Sequence, residues 1–480
     1  MYLGLDLGTS GLRALLIDAG QRIIGSASAE LSVARPHPGW SEQPPGDWIA
    51  AAETAVAGLR AAHPTEFAAI RGIGLSGQMH GATLYDKADQ PLSPSILWND
   101  TRAAAEAAEL DAQPDFRALT GNIVFPGFTA PKLVWVARHE PEIFRQTACV
   151  LLPKDALRLW LTGDRVSEMS DASGTSWLDV GARDWSDTLL DATGLTRDQM
   201  PGLVEGSEPS GQLRADLRAQ WGLTGPVTVA GGAGDNAASA IGMGMVHAGQ
   251  AFVSLGTSGV LFAANDAFSP RPESAVHAFC HALPGRWHQM GVILSATDAL
   301  NWHARICGMD AAALDREVGT TLQPPGGVTF LPYLSGERTP HNDARIRGAF
   351  AGLGHEADRP ALTRAVMEGV AFALADNLAA LRAAGADIAR VTAVGGGSQS
   401  DYWLKAIATA LDMPVDLPAR GDFGAAFGAA RLGLMAATGA TPDTVCTPPP
   451  TDRTIMPEPK LRAAFQDAHA RFRRLYEVLA

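Results

Sequence analysis

Short apolar blocks separated by turn residues dominate the start of the chain. Residues 2–6 read as a strand that leads into the tight turn Gly8-Thr-Ser-Gly11. Residues 13–17 and 22–27 predict two further strands, the second entered through Asp18-Ala19-Gly20. Helical periodicity follows over 47–62, and 69–75 predicts another strand. Three strands, a helix and a strand make the opening of a ribonuclease-H-like lobe, whereas a dinucleotide-binding domain would begin strand, helix, strand.

The same opening recurs in the second half. Residues 252–255 predict a strand, Gly256-Thr-Ser-Gly259 a turn, and 260–263 the returning strand. Asp6 and Ser254, which head the two Leu-Gly-Thr-Ser-Gly strings, stand 248 positions apart in a chain of 480. A repeated string in a repeated setting at half the chain length marks an internal duplication. The expected fold is α/β, with two ribonuclease-H-like lobes spanning 1–247 and 248–480 and a cleft between them. Helices are predicted over 236–245, 296–306, 359–384, 401–411, 425–437 and 461–479. Strands at 226–230 and 391–394 end in Gly231-Gly-Ala-Gly234 and Gly395-Gly-Gly-Ser398.

Composition narrows the function. An apolar share of 46% suits a globular chain, and no run approaches the ~18 apolar residues that a membrane span requires, so no membrane partner is expected. A net charge of −13 without a basic cluster argues against a nucleic-acid partner. Cys149, Cys280, Cys307 and Cys446 form no Cys-x-x-Cys pair, and no basic leader precedes Asp6, so a cytoplasmic location with reduced thiols is expected. A homodimer is left open.

The candidate chemistry gathers at strand ends. A Gly-Thr-Ser-Gly turn exposes backbone N–H groups and hydroxyls in a concavity suited to phosphate oxygens, although an ordinary hairpin turn reads the same way. Asp6 beside such a nest either coordinates Mg²⁺ or starts the turn through its own backbone. Asp235 is either a helix N-cap or a general base held at a strand end. In Gly77-Gln-Met-His-Gly81, Gln78 and His80 offer directional hydrogen bonds to hydroxyls and Met79 an adaptable wall; a buried, satisfied histidine is the plainer reading. Trp98 and Trp135 are either a stacking face for a sugar or core. Three patterns are set aside. Gly232-x-Gly234-x-x-Ala237 lacks the acidic residue of a dinucleotide fingerprint, and Asp422-Phe-Gly424 lacks a preceding His-Arg-Asp loop. His277-x-x-x-His281, with helix-like metal spacing, lacks further ligands and reads as core.

These residues carry a resemblance. Asp6-Leu-Gly-Thr-Ser-Gly11, its later copy and the 395–397 glycines resemble the phosphate and adenosine elements of the actin/hexokinase/Hsp70 ATPase superfamily. Pro126-Gly-Phe-Thr-Ala-Pro-Lys-Leu-Val-Trp135, Gly348-Ala-Phe-Ala-Gly-Leu353 and Ala365-Val-Met-Glu-Gly369 resemble signatures of the FGGY carbohydrate kinases. Arg35-Pro-His-Pro-Gly-Trp-Ser-Glu-Gln43, Gly77-Gln-Met-His-Gly81, Ile96-Leu-Trp-Asn-Asp100, Leu151-Leu-Pro-Lys-Asp155 and Leu334-Ser-Gly-Glu-Arg-Thr-Pro-His341 are similar to the bacterial branch that phosphorylates D-xylulose. The resemblance implies transfer from ATP to O5 of D-xylulose, with Asp235 as base and Asp6 and Asp235 holding Mg²⁺ through water. It further implies that Met79, His80, Trp98 and Asn236 line the sugar pocket. Gly8, Thr9, Ser10, Arg13, Gly256 and Thr257 would fall on the phosphate side, and Gly395, Gly396 and Ser400 on the adenosine side. Ser400 stands where related glycerol kinases carry Asn, and the residues choosing the sugar are expected in the first lobe. Another ketose, pentitol or polyol as substrate is the nearest alternative; an actin-like binding module and a dehydrogenase are more distant ones.

Overall fold

The computed structural model describes residues 1–419 and 421–480. It begins with β1 (Tyr2–Leu7), β2 (Gly11–Ile17) and β3 (Ile23–Glu30), then α1 (Pro45–Ala62) and β4 (Gly72–Gly77), in the order predicted. β1 is buried along its length except at Asp6, as befits a central strand covered on both faces. Three later strands, β5 (Pro209–Gln212), β6 (Thr228–Ala230) and β7 (Ala233–Gly234), complete the sheet. Its order is β5-β6-β4-β1-β2-β3, with β7 alongside β4. The β1-β2-β3 meander is antiparallel, while β4 runs parallel to β1 and β6 parallel to β4.

The second half rebuilds this plan. Its strands are β8 (Ala251–Leu255), β9 (Gly259–Asn265), β10 (His277–Cys280), β11 (Trp287–Ile293), β12 (Val391–Val394), β13 (Val415–Pro418) and β14 (Thr451–Ile455), ordered β10-β11-β9-β8-β12-β13-β14. β8 is antiparallel to β9 and parallel to β12, and β13 is parallel to β12. Strands β8, β9, β11, β12 and β13 thus take the places of β1, β2, β3, β4 and β6. The two Gly-Thr-Ser-Gly strings occupy the same turn in each sheet, and the duplication inferred from them is borne out.

Helices α2 (Asp235–Met243), α3 (Thr297–Cys307), α4 (Arg359–Ala383), α5 (Asp401–Leu411) and α6 (Ala425–Thr438) matter for the site. The predicted boundary falls in the connection from α2 to β8. The halves are nevertheless interleaved, because α6 packs on β1, β4 and α2 of the first half. Glycines make that approach close. A Cβ on Gly74 would stand 1.8 Å from the Ala429 carbonyl oxygen, and one on Gly428 would stand 1.8 Å from that of Ala238. Backbones in such contact join the two halves along α2 and α6. Among the described residues, no helix is long and apolar enough to cross a membrane.

Candidate active site

Register brings the first-lobe candidates to one edge. Ser76 of β4 stands between Asp6 of β1 and Ala233 of β7, so Asp6, the 8–11 turn, Gln78–His80 and Asp235 all emerge where the parallel strands end. Open α/β sheets place ligands at that edge. Asp235 is the first residue of α2 and the N-cap position belongs to Gly234, so the capping alternative fails. Its Oδ1 accepts from the Asn236 backbone N–H at 2.7 Å and from Asn236 Nδ2 at 2.9 Å. Burial pushes the Asp235 carboxyl up to about 6; the Asn236 bonds oppose this and the neighbouring Asp6 adds to it. Asp6 is also raised, by burial first, with the Ser76 hydroxyl and Arg13 pulling it partly back.

A buried polar network that the sequence reading did not assign fixes the turn ahead of Asp235. Arg158 donates through Nη1 to the Ala230 carbonyl at 2.5 Å and through Nη2 to that of Gly231. Ser170 Oγ accepts from the Gly234 backbone at 3.1 Å. Around them, Lys154 Nζ lies 2.7 Å from Asp155, 3.1 Å from Asp171 and 3.4 Å from Glu168, all of them fully buried. Burial acts to lower the Lys154 pKa, but the three carboxylates outweigh it and hold the ammonium charged. The string Leu151-Leu-Pro-Lys-Asp155 supplies two members of this network, Lys154 and Asp155.

Met79 and His80 are brought together with Asp235, as expected. A Cβ on Gly234 would meet Met79 Sδ at 2.9 Å, and one on Gly174 would meet the His80 ring at 2.5 Å and Met79 Cε at 3.1 Å. Met79 therefore spans from the Asp235 turn to the His80 ring, and both glycines are required by close approach. His80 adopts φ 68°, stacks on Phe128 at 4.4 Å, and bonds through Nδ1 to the Gly174 carbonyl at 2.8 Å. Burial pulls its pKa down to about 3, so the ring is neutral. A carbonyl only accepts, so Nδ1 carries the proton and Nε2 is left as an acceptor for a hydroxyl.

Residues of the second lobe also pack around His80. His277 and Phe279, alternate residues of β10, stack on each other at 5.3 Å; Phe279 lies 6.3 Å from the His80 ring and His277 6.0 Å from Phe128. Asn122 clasps Ala278 between them, accepting from its N–H at 3.1 Å and donating to its carbonyl at 2.9 Å. The His277/His281 pair lies on and just beyond a strand rather than on a helix, and among the described residues no group of three potential metal ligands is assembled.

The first glycine turn is braced from outside. Thr9 Oγ1 donates to Gln78 Oε1 at 2.9 Å and accepts from Trp98 Nε1 at 3.0 Å, while Gln43 Nε2 donates to the Thr9 carbonyl at 2.8 Å. Trp98, 48% exposed, therefore caps the turn at the rim; its own carbonyl packs against Gly127 near His80. Ser10 is exposed and Gly8 closes the turn onto the Gly11 carbonyl at 2.9 Å. Arg13 is engaged in an ion pair with Asp422, so the Asp422-Phe-Gly424 string set aside above faces the first lobe after all.

Across from this edge, the ends of β8, β12 and β13 supply the second-lobe candidates. Gly395 has φ 90°, and a Cβ there would stand 2.7 Å from the Leu255 carbonyl, so this turn lies directly on the strand leading to Gly256. Gly256 and Thr257 accept from the start of α3, through Thr297 N at 2.9 Å and Ala296 N at 2.8 Å. Gly396 and Ser400 line a cavity of about 440 Å³ together with Asn301, Asp315, Arg316 and Gln399, the last four unassigned from sequence. The Ser400 hydroxyl is already used: it bonds Asp315 and accepts from Trp403 N at 3.1 Å, capping α5. A second cavity of about 260 Å³ lies between the lobes, where Asn236 and Ser239 of α2 face Ser254, Val394 and Asp422.

Known proteins share this arrangement. Residues 1–242 match the N-terminal domain of the FGGY family of carbohydrate kinases, and residues 251–437 match its C-terminal domain. The xylulose kinase of Escherichia coli K12 is 48% identical, over 100% of this chain and 99% of its own. The "xyloylose kinase" of Brucella ovis has a crystal structure 69% identical in sequence with a TM-score of 0.99, covering 100% of this chain and 99% of its own. The xylulose kinase of Rhodospirillum rubrum, at 30% identity, superposes with a TM-score of 0.93 over 100% of this chain and 98% of its own. With both lobes matched and a full-length relative at 48% identity, the chain belongs to the FGGY family of carbohydrate kinases.

Proposed function

We propose that the protein transfers the γ-phosphoryl group of ATP to O5 of D-xylulose, giving D-xylulose 5-phosphate. The observation that carries this reading is the raised Asp235 carboxyl at the strand edge beside Met79 and His80, in a chain similar throughout to xylulose kinases. Asp235 accepts the proton of the attacking hydroxyl. Neutral His80 accepts a hydroxyl hydrogen through Nε2 and Met79 lines the apolar side, while Asn236 orients the Asp235 carboxylate. The Gly395–Gly396 turn and the 440 Å³ cavity receive the adenosine. The Gly256–Thr257 and Gly8–Ser10 turns hold the phosphates from the two sides, and Asp6 faces them from β1. Arg13 acts on the phosphates only by leaving Asp422; with that ion pair intact it supports the turn instead.

The residues fit Mg²⁺. Asp6 adds to the raised pKa of Asp235, and a cation between them relieves that repulsion. A pair of carboxylates suits an ion that keeps several waters and takes its remaining ligands from phosphate. Mg²⁺ bound there neutralises charge on the phosphate oxygens. Asp6→Asn is expected to raise the Mg²⁺ concentration for half-maximal rate by about 10–100-fold; an unchanged Mg²⁺ titration would remove Asp6 from that role.

A coupled ATP-consumption assay over D-xylulose, other ketoses, pentitols and glycerol tests the function. The highest kcat/KM is expected for D-xylulose. A higher value for another sugar would reassign the substrate within the family, and turnover indifferent to every sugar would discard the kinase reading.

A further inference from the structure

The second lobe carries a cation beside the sugar pocket that nothing above employs. Arg338 sits in a loop fixed to β11 on both sides. Glu337 Oε1 accepts from Leu294 N at 3.0 Å, Thr339 Oγ1 accepts from Val292 N at 3.1 Å, and Asn377 Nδ2 donates to the Thr339 carbonyl at 2.9 Å. The guanidinium lies over the Phe125 ring at 4.4 Å. Its one side-chain hydrogen bond runs from Nη1 to His277 Nε2 at 3.4 Å, and among the described residues no carboxylate forms an ion pair with it. Glu337 is adjacent in sequence but turns its carboxylate to the backbone of Leu294 and Arg338.

A guanidinium has five donors and no acceptor. Arg338 is half-buried, and beyond the Nη1 bond to His277 its side-chain donors have no protein partner among the described residues. Burial already pulls Arg338 below its ordinary pKa, and its charge reaches His80 and His277, lowering both. The path from Asp235 to this group is continuous: Met79 spans from Gly234 to the His80 ring, His80 stacks on Phe128, and Phe128 borders His277, which Arg338 touches. This run of packed side chains sets Arg338 beside His277, next to the rings that flank His80.

In D-xylulose the end remote from O5 carries the C2 carbonyl. A ketone oxygen accepts hydrogen bonds and cannot donate, so a donor-only cation matches it better than it matches a hydroxyl, which His80 Nε2 serves. We propose that Arg338 is a specificity residue contributed by the second lobe, donating to the ketose carbonyl and so distinguishing a ketose from the corresponding polyol. This rests on the sugar-kinase reading above, with the reacting hydroxyl at Asp235. It also makes sugar binding a two-lobe event, because His80 and Arg338 belong to different lobes.

Isothermal titration of the full-length protein with D-xylulose and with xylitol, the same carbon chain with the carbonyl reduced, tests it. The unaltered protein is expected to prefer D-xylulose. Arg338→Met is expected to weaken D-xylulose by about 10- to 100-fold, to leave xylitol within about threefold, and to leave the KM for ATP unchanged. Arg338→Lys, which keeps the charge without the planar fork, is expected to keep part of the preference and stands in if the methionine variant does not fold. An unchanged ratio of the two dissociation constants in either folded variant overturns the assignment. Equal weakening of both ligands also overturns it, since lost packing on Phe125 would give that result. If the unaltered protein binds neither ligand, the function reading falls and this one with it; normal D-xylulose binding with an unchanged ratio sinks Arg338 alone.

Discussion

Asp235→Ala is expected to lower kcat for sugar phosphorylation by about 10²–10⁴-fold, the usual contribution of a general base, while the KM for sugar changes far less. Met79 and His80 are held by Gly234, Gly174 and Phe128 rather than by the Asp235 side chain, so the pocket survives its removal. The same group sets a pH dependence. Asp235 acts deprotonated and its carboxyl is raised to about 6, so kcat/KM is expected to fall as pH drops through 6. Much of the rise comes from burial and part from Asp6; raising Mg²⁺ opposes the Asp6 part and is expected to move the fall to lower pH. Steady-state kinetics from pH 5 to 8 at two Mg²⁺ concentrations would show it. Near-normal turnover in Asp235→Ala, or an acid limb that persists in that variant, contradicts the assignment.

Lys154→Met is expected to cost about 3–5 kcal/mol of folding stability, the range for breaking a buried ion pair from one side. A domain holds only about 5–15 kcal/mol in reserve, so the loss is severe. The ammonium pairs with Asp155, Asp171 and Glu168, all three fully buried; without it Arg158 still pairs with Asp155, and Asp171 and Glu168 have no ion pair left among the described residues. The loss has a signature that simple cavity formation lacks. Asp171 is already raised, by burial first and then by Asp155 and Glu168 against the pull of Lys154. Removing Lys154 takes away the pull that lowers the Asp171 carboxyl and so raises it further in the folded state. A group whose folded pKa lies above its unfolded value contributes stability below the unfolded pKa and loses it as pH rises through the folded one. The deficit of Lys154→Met is therefore expected to be larger at pH 8 than at pH 5. Urea unfolding of both proteins at the two pH values measures it, and a deficit independent of pH would mean the network is not balanced by charge as described. Since Arg158 of the same cluster holds the Ala230 and Gly231 carbonyls, folded Lys154→Met should also lose turnover through a displaced Asp235 turn.

The chain by itself determined the elements and their pairing into two similar lobes. Strand and helix follow from the alternation and turn chemistry of adjacent residues, which is why 391–394 and 401–411 are predicted to the residue. The repeated Leu-Gly-Thr-Ser-Gly string exposed the duplication because one local conformation, a strand closing on a glycine turn, requires the same residues in both places. The strand-end position of Asp6, Met79, His80 and Asp235 was legible for the same reason. Only the tertiary structure decided what meets across sequence distance. No spacing announces that β10 places His277 and Phe279 near His80, that Arg338 lies one layer beyond, or that Lys154 and Arg158 brace the turn before Asp235. Those contacts depend on how two sheets twist and dock, and a glycine such as Gly74 reads as a mere weak point in a strand until the Ala429 carbonyl stands against it. Local residues therefore wrote the two lobes and the reacting edge, while packing between lobes chose the walls of the pocket.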